Sequence, residues 1–218
     1  MLLYYITDRK SFGGNEAEQR AAVFRCVAEA ARAEVDYIQL REKDLNPADV
    51  ELLAREARHL VRENSAHTKF LINTHAEIAL SVGADGVHLP AKASPVASVR
   101  EYWLRESGRE PVIGVSVHTM SDVQQAQLAG ASLVVLAPIF EKVAPHAKGI
   151  GLDALREACC MGGIPVLALG GVSIANAGSC RDAGAAGVAG VRLFQQGNVS
   201  ETVRALRELA DNSQQPAS

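Results

Sequence analysis

The sequence predicts one (β/α)8 TIM barrel. Eight short apolar runs recur along the chain, segments of helical periodicity separate them, and several runs stop at polar residues or glycines suited to chemistry. Strand alternating with helix signals a parallel α/β sheet. In a closed barrel of eight parallel strands the carboxyl ends share one mouth, where such barrels place their sites. An open doubly wound sheet would call for a GxGxxG phrase after the first strand, and none is present.

Taken in order, the runs are Leu3–Ile6, Tyr37–Leu40, Phe70–Ile72, Gly86–Leu89, Val112–Val115, Leu133–Leu136, Pro165–Leu169 and Gly187–Val191. Between the first two, Glu16–Arg32 spaces Ala, Val and Phe by three and four residues, as a helix packed on one face requires. Asn46-Pro47 opens the next helix with proline in its first turn, and that helix runs to about Asn64. Thr74–Val82 is a short helix, and Ser94-Pro95 starts one that reaches about Ser107. Thr119 is a capping residue for Thr119–Ala129, which Gly130 ends. Leu152–Cys160, Ser173–Ala183 and Ser200–Ala210 complete the series.

Gly83-Ala84-Asp85-Gly86-Val87 and Gly184-Ala185-Ala186-Gly187-Val188 are near copies, with Gly130-Ala131-Ser132 a weaker one. Each is a helix stop followed directly by a strand, so the repeat is architectural. The barrel domain is placed at 1–212 and a polar tail at 213–218.

A chain of 218 residues suffices for one sizeable core. The formal charge of -3 and the pI near 6.1 do not suggest a nucleic-acid partner, which calls for a basic stripe. No apolar run approaches the length of a membrane span, and the first residues lack the pattern of a signal peptide. A cytoplasmic location is expected, with homo-oligomerisation left open. Cys26, Cys159, Cys160 and Cys180 form no CxxC pair and stand at no strand end, so they are read as thiols on apolar helix faces.

Four groups carry the candidate chemistry. Gly170-Gly171 follows the seventh strand, where backbone N–H groups approach an anion without a side chain in the way. Val191-Arg192 is expected to end the eighth strand, and the loops after strands seven and eight commonly hold a phosphate in this fold. Arg192 would add a charged fork to the same oxygens. The alternative is a tight turn and a structural ion pair.

In Gln39-Leu40-Arg41-Glu42-Lys43, alternation sends Gln39, Arg41 and Lys43 one way and Leu40 and Glu42 the other. Two cations at a barrel mouth suit a phosphate or diphosphate. The competing reading is a salt-bridge network inside the barrel. Ser116-Val117-His118 puts a histidine at the exit of strand five, where it suits proton transfer near neutral pH. His88 lies within strand four and is read as a packed or hydrogen-bonded barrel residue. The segment 140–151, with Lys142, His146 and Lys148, has the length of a lid, or is a plain surface loop.

Seven phrases together resemble the thiamine phosphate synthase and thiazole tautomerase (TenI-like) superfamily. They are Tyr5-Ile6-Thr7-Asp8, Gln39-Leu40-Arg41-Glu42-Lys43, Leu71-Ile72-Asn73, Asp85-Gly86-Val87-His88-Leu89, Ile113-Gly114-Val115-Ser116, Ala137-Pro138-Ile139-Phe140 and Ala168-Leu169-Gly170-Gly171. The resemblance covers about 4–209. It implies a phosphorylated thiazole ligand held near Gly170, Gly171, Val191 and Arg192, with Gln39, Arg41, Lys43, Asn73, Ser116 and Lys148 binding substrate.

The synthases join a pyrimidine methyl diphosphate to a thiazole phosphate with loss of diphosphate, using magnesium. The resemblance places one magnesium carboxylate directly after the Asn and another at the end of a Gly-Gln-x-Asp motif. Here Thr74 occupies the first position, and the second motif reads Pro90-Ala91-Lys92-Ala93. Magnesium wants hard oxygen ligands, usually one or two carboxylates. At these points the chain resembles the tautomerase branch better. That branch moves a proton to aromatise a thiazole carboxylate phosphate without a metal, and the resemblance gives His118 the proton-shuttling role. Arg192 departs from the small hydroxyl residue common at its position. The expected function is therefore a metal-independent thiazole tautomerase without a cofactor. The synthase, with magnesium, is the first alternative, and a non-catalytic thiazole phosphate binder the second.

Overall fold

In the computed structural model, which describes residues 1–91, 95–140 and 148–211, eight parallel strands close into a barrel in sequence order. They are β1 Leu2–Ile6, β2 Tyr37–Leu40, β3 Lys69–Asn73, β4 Gly86–Leu89, β5 Val112–Val117, β6 Leu133–Leu136, β7 Val166–Ala168 and β8 Gly187–Gly190. Closure comes from β8 pairing with β1, with Leu2 opposite Gly187 and Tyr5 opposite Gly190.

The helices are α1 Glu16–Arg32, α2 Pro47–Asn64, α3 Ala76–Ser81, α4 Val96–Ser107, α5 Met120–Leu128, α6 Gly151–Cys160, α7 Ile174–Asp182, α8 Arg192–Gln195 and α9 Val199–Asp211. Their starts have local causes. The Asn15 side chain accepts from Glu18 N, and Glu18 returns a bond to Asn15 N. Asn46 caps α2 ahead of Pro47. Thr119 caps α5 through Asp122 N. Gly83, Gly130 and Gly184 take positive φ at helix ends, as the repeated phrases require.

Strand alternation creates two cores. Leu3, Tyr5, Ile38, Phe70, Ile72, Val87, Val134 and Leu136 face outward and pack under the helices, joined by Trp103 of α4. Tyr4, Ile6, Leu71, Leu133, Val135, Leu167 and Ala189 face inward and fill the barrel. A buried leucine or valine here contributes about 1.5–3 kcal/mol relative to exposure. The inner layer closes the floor, so the site sits at the carboxyl end.

Three expectations are corrected. The eighth strand ends at Gly190, not at Arg192. Its pairing with β1 ends there, and Val191, at φ -95° and ψ -73°, turns the chain into α8. The helix expected from Thr74 begins at Ala76, because Thr74 sits at φ 69° and cannot join a right-handed helix. The helix expected from Ser94-Pro95 begins at Val96, with Pro95 as its cap. Lys92, Ala93, Ser94, Lys142, His146 and the tail 213–218 lie outside the described residues.

Candidate active site

The strand ends surround a cavity of about 810 Å³. Gln39, Arg41, Lys43, Asn73, Ser116, His118, Gly170, Gly171, Val191 and Arg192 all line it. Ile6, Leu40, Leu45, Leu169 and Leu193 add apolar wall suited to a ring. Lys148 is exposed and is not among the lining residues.

Glu42 explains how the cations reach the mouth. It turns away from Arg41 and Lys43, as the alternation predicts, even though β2 itself stops at Leu40. Its carboxylate accepts from Thr7 Oγ1 at 2.7 Å, from Arg9 N at 3.0 Å and from Arg9 Nη1 at 3.2 Å. Burial pushes the Glu42 carboxyl up, and these donors pull it back toward the charged form. Thr7 Oγ1 also accepts from Arg41 N at 3.0 Å, which locks the following backbone. Arg9, only 2% exposed, holds Asp44 through two parallel bonds of 2.6 and 2.7 Å and Glu16 through a third of 2.9 Å. A salt-bridge network thus exists, but Arg9 carries it, from a 3-10 turn at Arg9–Ser11 that periodicity does not reveal, and among the described residues Arg41 and Lys43 take no part in it.

Arg41 and Lys43 are left for a ligand. Among the described residues neither side chain has a hydrogen-bond or ion-pair partner. Desolvation lowers the Arg41 pKa, and Lys43 is lowered first by the Arg41 charge and then by burial. The Asp8 and Glu42 charges pull Arg41 back up from a distance, but two neighbouring cations with no direct ion pair among the described residues still favour an anion between them.

The wall after β7 is built from backbone. Gly170 and Gly171 take φ 95° and 68°, conformations L side chains rarely adopt. A Cβ on Gly170 would stand 2.7 Å from Pro138 Cα, so the β6 and β7 ends also need glycine there for space. Beside them α8 begins with Arg192 exposed at the rim. Glycines after strand seven and a short extra helix after strand eight are the usual phosphate-binding parts of this barrel.

His118 is exposed at the mouth, and its Nδ1 lies 2.7 Å from the Ala137 carbonyl. A carbonyl only accepts, so Nδ1 carries a proton, and Nε2 has no partner among the described residues. Asp122 fixes the same loop by accepting from His118 N and Thr119 N. His88, as expected, is a hydrogen-bonded barrel residue. Below the cavity, Gln39 Nε2 donates to Tyr4 Oη at 2.9 Å, Tyr4 Oη meets His88 Nδ1 at 3.0 Å, and His88 Nε2 meets Ser116 Oγ at 2.9 Å. Tyr4 went unnoticed in the sequence. Its signal was parity, since Tyr4 shares the inward face of β1 with Ile6.

Asn73 Nδ2 donates to Thr74 Oγ1 at 2.9 Å. Glu42 is the one carboxylate among the described lining residues, and Thr7 and Arg9 already engage it. No group of three or more His, Cys, Asp or Glu that could hold a metal occurs among the described residues. Among the described residues the donor set therefore does not fit magnesium, which needs free hard oxygen ligands. The four cysteines are free thiols on α1, α6 and α7, and none lines the cavity.

Fold and site together define a (β/α)8 barrel whose mouth opens on one cavity, lined by Arg41 and Lys43 after β2 and by Gly170, Gly171 and Arg192 after β7 and β8. The family model described as thiamine monophosphate synthase matches residues 3–194, and the chain belongs to that family. It is 37% identical over 193 residues to a putative thiamine-phosphate synthase 2 of Aquifex aeolicus, covering 88% of this chain and 96% of that one. Against a putative thiamine-phosphate synthase of Geobacter sulfurreducens the identity is 40%, covering 86% and 83%. The structure of the thiamine phosphate pyrophosphorylase of Pyrococcus furiosus superposes with a TM-score of 0.80 at 26% identity, covering 98% and 97%. The chain is thus an enzyme of thiamine biosynthesis by family, with no specific support for the tautomerase branch expected from the sequence.

Proposed function

We propose that the protein is a thiamine phosphate synthase, joining a pyrimidine methyl diphosphate to a thiazole phosphate. One observation carries this reading: a single cavity is lined after β2 by Arg41 and Lys43, whose side chains have no partner among the described residues, and after β7 and β8 by the Gly170-Gly171 backbone and Arg192. Two anionic substrates need two such groups, and the cavity volume of about 810 Å³ lies in the upper part of the ligand-site range. The relatives' names favour the same reaction.

In that reaction the thiazole nitrogen attacks the pyrimidine methylene and forms a C–N bond. The methylene–oxygen bond breaks, and diphosphate leaves with the electron pair. Negative charge grows on the departing oxygen, where Arg41 and Lys43 are placed to receive it. The glycine backbone holds the thiazole phosphate, and the apolar wall excludes water from the reacting carbon. No step is assigned to magnesium, because the donor set of the described residues does not fit it.

Two features favour the tautomerase as a second reading. Thr74 stands where the resemblance places a metal carboxylate, and His118 presents an Nε2 with no partner among the described residues, which suits a proton shuttle. Purified protein given both substrates, with and without magnesium, tests the proposal. Thiamine phosphate formed at an enzyme-like rate is expected. Its absence, with isomerisation of the thiazole carboxylate phosphate, would replace the synthase by the tautomerase. Binding of thiazole phosphate without turnover of either kind would leave a binding protein.

A further inference from the structure

Beneath the cavity four side chains from β2, β1, β4 and β5 form one unbroken hydrogen-bonded line: Gln39, Tyr4, His88, Ser116. Tyr4, Gln39 and His88 are 0%, 1% and 3% exposed, so each polar atom among them must be satisfied by protein or by ligand. The proton count follows from chemistry. Tyr4 Oη accepts from Gln39 Nε2, and its own proton has one acceptor within reach, His88 Nδ1. An Nδ1 that accepts leaves the neutral ring with its proton on Nε2, which then donates to Ser116 Oγ. The Ser116 proton is left to point into the cavity. At the other end Gln39 Oε1 is buried with no partner among the described residues.

The reverse polarity would flip the Gln39 amide and turn every bond around. Ser116 would then donate inward, and Gln39 would show N–H groups to the ligand. Electrostatics decides between the two. Arg41 stands two residues from Gln39 and lines the same cavity. A side-chain amide turns its oxygen toward a cation, so Oε1 is the Gln39 atom left for a ligand. The protein also keeps room for the ring, since a Cβ on Gly114 would lie 2.7 Å from His88 Nδ1.

We propose that Tyr4 and His88 are positioning residues, a one-directional relay that presents Gln39 to the substrate as an acceptor and Ser116 as a donor. The two ends are coupled, because neither can reverse alone without stranding a buried proton. The relay therefore selects a heteroaromatic substrate that donates at the Gln39 end and accepts at the Ser116 end, and it rejects an analogue with that order reversed. Only the identity of the substrate rests on the proposed function; the polarity does not.

Nitrogen-15 NMR of histidine-labelled protein reads the polarity directly, with His88 assigned by comparison with His88→Gln. A single neutral tautomer, protonated on Nε2, is expected in the ligand-free protein. Tyr4→Phe, which removes one oxygen, should mix the tautomers. An Nδ1-protonated ring would overturn the proposal, as would a tautomer indifferent to Tyr4→Phe. The kinetic arm uses Tyr4→Phe, Ser116→Ala and the double variant. Each single change should lower kcat/KM about tenfold, and the double variant should fall little further. Independent losses that multiply to about a hundredfold would refute coupling. If the tautomer result holds and thiamine phosphate is not made, the reaction assignment fails while the relay stands.

Discussion

Gly114 lacks a side chain where His88 needs the space: a β-carbon there would stand 2.7 Å from His88 Nδ1. Gly114 lies opposite His88 in the β4–β5 register, so the inward ring leans across its neighbour's empty position. The pair shows how a barrel interior accommodates a polar ring. Gly114→Ala should force the ring off Tyr4 and cost about 1–3 kcal/mol, the range for overpacking a core. Urea unfolding with an unchanged m-value would check it, and a midpoint equal to wild type would refute the steric argument.

The same histidine should make the fold acid-sensitive. Burial, with a smaller contribution from the Arg41 charge, depresses the His88 pKa from 6.5 to about 3. Between those values the unfolded chain binds a proton that the folded chain excludes, so folded stability falls as pH drops from about 6.5 toward 3. The loss amounts to a few kcal/mol, at about 1.4 kcal/mol per unit. His88→Gln should flatten that part of the profile, with unfolding free energies at pH 7, 5.5 and 4.5 as the readout.

Arg9 should be the most costly charge to remove. Arg9→Met leaves Glu42 buried beside an apolar chain and frees Asp44 and Glu16. Breaking a buried ion pair from one side costs about 3–5 kcal/mol. Loss of the clamp should also raise KM for the diphosphate substrate, because Arg41 and Lys43 flank Glu42. A variant with wild-type melting temperature and KM would show that the network is ornamental.

His118 separates the two candidate reactions. The coupling moves no proton at His118, so His118→Ala should retain thiamine phosphate synthesis to within severalfold. The tautomerisation depends on a proton shuttle and should lose about 10²–10⁴-fold in kcat. Measuring both activities on one preparation decides which role the side chain has.

Much of this molecule was legible in its residues. Local chemistry marks helix ends, as at Asn46-Pro47 and Thr119, and hydrophobic period separates strand from helix before any contact forms. The alternation of Arg41, Glu42 and Lys43 was readable because side chains on extended backbone point to opposite faces. Family phrases located the cavity wall, and every residue expected there except Lys148 lines it.

What the sequence by itself determined is the order of elements, the barrel and the mouth, because period, caps and strand ends are local properties of the chain. Only the tertiary structure decided that Arg9 rather than Arg41 takes Glu42, that Arg192 opens a helix instead of ending a strand, and that Tyr4 joins Gln39 to His88. Those pairings span 33 residues from Arg9 to Glu42 and 84 from Tyr4 to His88. Closing the barrel brings such partners within 3 Å or so, and hydrogen bonding is too short-ranged for a linear pattern to encode which of several polar groups will meet.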